Sequence, residues 1–141
     1  MLPSRGTDMK YIDYDIAQIN SYYKNVAISS CNAMFVGKFY NEFEYRVLIK
    51  FNFKSLPENS RIQRATLSIS VAAGALYCFS GSKLMCDWDV NNVNWLNQPQ
   101  FNSSEIIFSK SVPYCTKYPI DITEQVRDWY KQPDRNYGAT C

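Results

Sequence analysis

Asp87-Trp88-Asp89-Val90-Asn91-Asn92-Val93-Asn94-Trp95-Leu96-Asn97-Gln98-Pro99 sets two tryptophans seven residues apart, threads carboxylates and amides between them and closes on a proline. Such a stretch can be a calcium loop, an aromatic platform for sugar rings, or a plug between two sheets. Asp87-x-Asp89-x-Asn91 begins as an EF-hand loop does, with alternate oxygens that converge on one ion. The sixth position, however, holds Asn92 where the sharp turn needs glycine, and the twelfth holds Gln98 where the bidentate glutamate belongs. A structural calcium near Asp87, Asp89 and Asn91 is thus the only cofactor the pattern leaves open, and it lacks its strongest ligand. Trp88 and Trp95 are expected to pack beneath a loop crossing between sheets, in one cluster with Trp129, rather than to present open faces to sugars.

Outward from this stretch the chain alternates as strands do. Glu44 to Phe53 is the strongest strand, with Tyr45, Val47, Ile49, Phe51 and Phe53 on one face. Arg64 to Val71 follows a turn at Leu56-Pro57-Glu58-Asn59-Ser60 and sets Ala65, Leu67, Ile69 and Val71 against Thr66, Ser68 and Ser70. Lys10 to Ile16, Ala33 to Val36, Leu76 to Leu84, Ile106 to Val112 and Lys117 to Ile122 complete the strand candidates. One helix is expected near residues 122–131, where Asp121 and Glu124 fit a capping box, Val126, Trp129 and Tyr130 recur at helical spacing and Pro133 stops the run. Phe51, Leu67, Trp88, Trp95 and Trp129 are the expected core.

Composition agrees. Eleven tyrosines and eight phenylalanines among Asn and Ser, in 141 residues that are 46% hydrophobic, suit strands and turns and suffice for one packed core. Net charge is +2 with Lys and Arg scattered singly, so the basic stripe of a nucleic-acid binder is absent. No apolar run approaches the roughly 20 residues a membrane helix needs, and no signal-peptide core opens the chain, so membrane insertion is not expected. Five cysteines, Cys31, Cys78, Cys86, Cys115 and Cys141, show no Cys-x-x-Cys spacing, and histidine is missing, which disfavours zinc. The odd count leaves one thiol unpaired. Cys141, the last residue, is the foremost candidate for a bond to another molecule, with buried reduced thiols as the alternative.

The order Tyr45-Arg46-Val47-Leu48-Ile49-Lys50-Phe51, Leu56-Pro57, Ala65-Thr66-Leu67, Trp88 to Pro99, Asp121-Ile122-Thr123, Val126, Trp129 and Asn136-Tyr137-Gly138 resembles the DNRLRE-type domain over nearly the whole chain. The resemblance implies an all-β, jelly-roll-like antiparallel β-sandwich, related in fold to carbohydrate-binding modules and to the prodomain of transforming growth factors. Such domains run on past the Asn-Tyr-Gly motif, whereas this chain stops at Ala139-Thr140-Cys141. A single domain over residues 1–141, short of its last strand or strands and open at an edge near its first, is the expectation.

No enzymatic constellation emerges. Ser80-Gly81-Ser82-Lys83 fits Ser-x-x-Lys but lies in a strand or turn without the companion motifs, and Asp13/Asp15 and Asp87/Asp89 read as solvated pairs. Asn102-Ser103-Ser104 is formally a glycosylation sequon. Two functions remain. The preferred one is a structural subunit that self-assembles into a bacterial surface or spore filament, copies of itself being the partners, by strand complementation and intermolecular disulfides. The alternative is a carbohydrate-binding module recognising a polysaccharide, with Tyr22, Tyr23 and Tyr40 as sugar contacts. Either implies an extracellular, cell-surface or spore-surface setting.

Overall fold

A computed structural model describes residues 9–28, 34–39, 42–72 and 78–141. Tyr40, Cys31 and the expected strand start at Leu76 lie outside them. The described residues form β1 (Asp13–Asn20), β2 (Ala27–Ile28), β3 (Gly37–Phe39), β4 (Phe43–Asn52), β5 (Thr66–Ser70), β6 (Cys78–Leu84), β7 (Phe101–Ser111), β8 (Lys117–Asp121), α1 (Thr123–Lys131) and β9 (Ala139–Thr140). Seven strands make one antiparallel sheet in the order β2-β1-β4-β9-β6-β7, with β3 on the outer end of β4, while β5 and β8 form a separate antiparallel pair. The architecture is the all-β sandwich with one short helix that the sequence predicts.

β4 organises the layers. Ile49 faces a cluster with Phe108, Ile120, Ile122, Val126, Trp129 and Ala139, built between the large sheet and the cover of β5, β8 and α1. Its neighbour Leu48 faces the other way, into a cluster with Ala17, Ile19, Leu84, Trp88 and Val93 beneath the 85–100 loop. Alternate residues of a strand point to opposite faces, so both faces of the sheet are buried here. Leu48, on the face opposite Tyr45, Val47, Ile49, Phe51 and Phe53, is fully buried. A correction concerns Trp129, which packs on Phe51 at 6.0 Å and shares no cluster with Trp88 and Trp95. Phe51 and Leu67 are half-buried against the Trp129 cluster.

The element ends also shift. No strand forms at residues 34–36, and the strand nearby is β3. β7 starts at Phe101, five residues before the expected Ile106, because Asn102 to Glu105 is an exposed polar strand with no apolar alternation to mark it. α1 starts without the expected box. Ile122 is its N-cap, and the Asp121 carboxylate accepts the Thr123 hydroxyl and the Thr123 backbone N–H at 2.9 Å. These two bonds, the hydroxyl's foremost, hold the Asp121 carboxyl below its ordinary pKa. Thr123 Oγ1 accepts the Ala65 N–H at 2.9 Å and Arg127 donates to Ile62 and Gln63 carbonyls, which lashes the helix to the segment entering β5.

The segment after Asn136-Tyr137-Gly138 enters the large sheet as β9. Ala139 and Thr140 wedge between β4 and β6, pairing with Ile49 and Leu48 on one side and Lys83 and Ser82 on the other. Cys141 continues the ladder, exchanging backbone bonds with Val47 at 2.8 and 3.3 Å. β1 has β4 along the whole of one side but β2 only at Gln18 and Ile19 on the other, so among the described residues its outer edge from Asp13 to Ala17 has no strand partner. Gly138 makes the wedge possible. Its φ is +80°, and a Cβ there would lie 1.9 Å from the Ile49 carbonyl oxygen. Gly81 also lies close to a neighbour, but a Cβ on it would meet the Phe108 ring, at 2.3 Å, rather than backbone.

Gly138→Ala therefore forces apart two strands and is expected to cost more than ~2 kcal/mol, seen as a lowered urea midpoint. Gly81→Ala is expected to cost less, because the Phe108 side chain can turn away where a strand backbone cannot.

Candidate functional site

The two-tryptophan stretch forms the loop over the Leu48 face of the sheet, and it joins β6 to β7, paired neighbours in one sheet, rather than crossing between sheets as expected. Trp88 is buried and its indole N–H donates to the Tyr137 carbonyl at 2.7 Å. Lys50 of β4 lies 5.0 Å from the ring centroid and donates to the Trp88 carbonyl and to Asp87. Trp95 is half-buried, and the Arg46 guanidinium sits between its ring at 4.5 Å and Phe101 at 4.9 Å. Glu44 and Gln98 accept from that guanidinium. β4 thus presents a cation to each indole, and cation–π contact occupies ring faces that a sugar would need.

The oxygens of the loop are used in the same way. Asp87 takes the Lys50 ammonium at 2.8 Å, and that hydrogen bond, opposed by partial burial and helped by the Trp88 N–H, lowers its pKa. Asp89 accepts from the Asn91 backbone and the Asn92 amide, while Asn94 accepts from the backbone of Leu96 and Asn97. A loop without a ladder must satisfy its own backbone, and these short polar side chains do so. Among the described residues no three carboxylates or thiols come together. Ser80 and Lys83 lie on β6, and Asp13 and Asp15 are exposed on β1.

A different group gathers on the Ile49 face of the sheet, towards the β3 end of β4. Tyr23 meets Tyr22 at 4.7 Å, Tyr22 meets Phe43 at 5.8 Å, Phe43 meets Tyr45 at 5.6 Å and Tyr45 meets Phe35 at 5.4 Å. Among the described residues five rings thus run continuously from the turn after β1, across β4, to the segment before β3. Tyr22, Tyr23 and Phe35 are 67%, 61% and 57% exposed, whereas Phe43 and Tyr45 are half-buried between them. Interplanar angles of 78°, 60°, 73° and 47° make this a faceted surface rather than a flat platform. Tyr22 and Tyr23 are residues the sequence marks as sugar contacts. Phe35, Phe43 and Tyr45 are additions, and the signal for them is the density of aromatics between residues 22 and 45.

The described thiols divide into two classes. Cys78, Cys86 and Cys115 are exposed, with Cys78 Sγ 3.0 Å from the Ser109 hydroxyl. Cys141 is partly exposed as a residue, yet it packs on the Ile49 cluster and burial pushes its thiol up to about 12. A thiol held neutral is a poor nucleophile. At pH 8, alkylation followed by peptide mapping is expected to modify Cys78, Cys86 and Cys115 rapidly and Cys141 only on unfolding. The raised value also sets a sign. Stability from the neutral Cys141 thiol is complete below pH 9 and erodes between about 9 and 12, as the unfolded chain loses the proton first.

The chain matches the model of carbohydrate-binding module family 96 over residues 13–140. No curated protein matches it. The resemblance to a DNRLRE-type domain therefore stands in its coarser form, a domain like a carbohydrate-binding module. The matched span opens with the first residue of β1 and closes with the last of β9, covering both clusters and the aromatic run, and the chain belongs to carbohydrate-binding module family 96.

Proposed function

We propose that the chain binds a polysaccharide, without catalysing its cleavage, through the aromatic run Tyr23-Tyr22-Phe43-Tyr45-Phe35. The observation that carries this is the continuity of the five rings on one sheet face with the three outer ones open to solvent. Ring faces offer polarisable apolar surface to the C–H faces of sugars, and the tyrosine hydroxyls at the edges can donate to and accept from sugar hydroxyls. Contiguous exposed apolar surface is also what a globular chain does not keep without use. The family supports the same reading. An extracellular setting suits it, and no described helix is long and apolar enough to cross a membrane.

The alternative of a self-assembling filament subunit drew on an unfilled sheet edge and a reachable Cys141. With Ala139 and Thr140 seated inside the sheet and the Cys141 thiol packed on the core, it has less support than the binding module.

Affinity electrophoresis through gels containing hydroxyethylcellulose, xylan, galactomannan or polygalacturonate tests the proposal. At least one polymer is expected to retard the chain. Tyr22→Ala, Tyr23→Ala and Phe35→Ala should each weaken that retardation by about 0.5–1.5 kcal/mol, up to roughly tenfold. Tyr114→Ala removes a ring 74% exposed on the β7–β8 connection and should change nothing. Full retardation of all three aromatic variants would sink the site.

A further inference from the structure

Two polar residues of β1 lie where a strand normally places apolar ones. Gln18 and Asn20 are 3% and 6% exposed, two residues apart, and so share one face. It is the face of the aromatic run, since Asn20 is directly across from Tyr45 and Gln18 from Val47. Burying an amide is unfavourable unless it is hydrogen-bonded, and both have partners that bear on the site. Gln18 Oε1 accepts the Phe35 backbone N–H at 2.6 Å. Asn20 Oδ1 accepts the backbone N–H groups of Tyr22 at 3.0 Å and Tyr23 at 2.6 Å. Each carbonyl therefore fixes the backbone that carries one exposed end of the run.

Resting on the reading of this face as a polysaccharide site, we infer that Gln18 and Asn20 are its positioning residues. β1 is paired to β4 from Asp13 to Asn20, so its backbone is a rigid bar, and the segments bearing Phe35 and the tyrosine pair are both hung from it. The three outer rings, which belong to no strand, gain a fixed orientation before any ligand arrives. Preorganisation of this kind raises affinity by removing the ordering cost from the binding step. Asparagine suits its position because its short side chain closes a turn onto the two following backbone amides. Gln18 has the longer reach that the Phe35 segment requires. Neither residue needs to touch the sugar.

The test uses the full chain and two readouts. The first is amide hydrogen exchange without ligand. Asn20→Ala is expected to speed exchange at Tyr22 and Tyr23, and Gln18→Met, which keeps the side-chain volume and loses the acceptor, at Phe35. Asn20→Asp, which keeps the acceptor, should restore protection at Tyr22 and Tyr23. The second is retardation by the same four polymers, at a temperature where each variant is fully folded. Asn20→Ala and Gln18→Met should bind about tenfold more weakly, equivalent to ~1.4 kcal/mol, with Asn20→Asp close to the parent. A purely structural role would lower the unfolding midpoint and leave the affinity of the folded variant unchanged, which overturns the inference. Unaltered exchange at the three amides overturns it as well. Should Tyr22→Ala weaken binding while Asn20→Ala does not, the site stands and positioning falls. Should the parent bind none of the polymers, site and positioning fall together.

Discussion

Leu48 and Ile49 are adjacent in the chain and face opposite sides of the central strand, each into its own apolar cluster. That two-sided burial is the constraint to which the other layers answer. A strand buried on both faces needs two covers, and the chain supplies unlike ones. On the Ile49 side the cover is regular, a strand pair and a helix whose backbone groups are paired internally. On the Leu48 side it is a coil, which has to meet its own backbone hydrogen bonds by other means. The asparagines and aspartates of the 87–99 stretch do this, and cations from β4 hold its two indoles down. Asp89 and Asn94 tie the loop's own backbone, and Asp87 ties it to Lys50 of β4.

How much of this was legible follows from what each signal encodes. The period-2 alternation of Tyr45 to Phe53 marks a strand and one apolar face, whereas burial of the opposite face at Leu48 lies outside that alternation. Trp88 and Trp95 announced a covering loop. Trp129 could not be assigned to its cluster, because helical spacing shows which residues share a helix face but not which side of a sheet the helix will cover. Ala139 and Thr140 were illegible as a central strand for a similar reason. Two residues carry no periodicity, and their place depends on the Gly138 turn and on partners far away in sequence.

The candidate site was half legible. Tyr22 and Tyr23 stand out as a polar-tipped aromatic pair in a turn, whereas Tyr45 belongs to the apolar face of a strand and Phe43 lies just before that strand's expected start. Gln18 and Asn20 carried no signal at all, since amides in a strand are ordinarily solvent-facing. Only the structure shows that they are buried and what they hold. In the proposed site the labour is divided: exposed rings face solvent, half-buried rings lie between them, and buried amides bond the backbone beneath. Such sites are more exact when built on strands than on loops alone.

The wedge of β9 has a consequence in time. β1 and β4 can pair, and β6 and β7 can pair, through connections confined to their own parts of the chain. The two hairpins become one sheet only when Ala139 and Thr140 enter between them, with Leu48 and Ser82 as partners. Closure over so much of the chain is slow, because its entropy is lost before its contacts form. A nascent chain therefore holds two half-sheets whose inner edges are bare at Leu48–Ile49 and Ser82–Lys83 until almost its last described residue emerges. In that interval the two edges that will clasp β9 are the places where the molecule is most open to pairing wrongly.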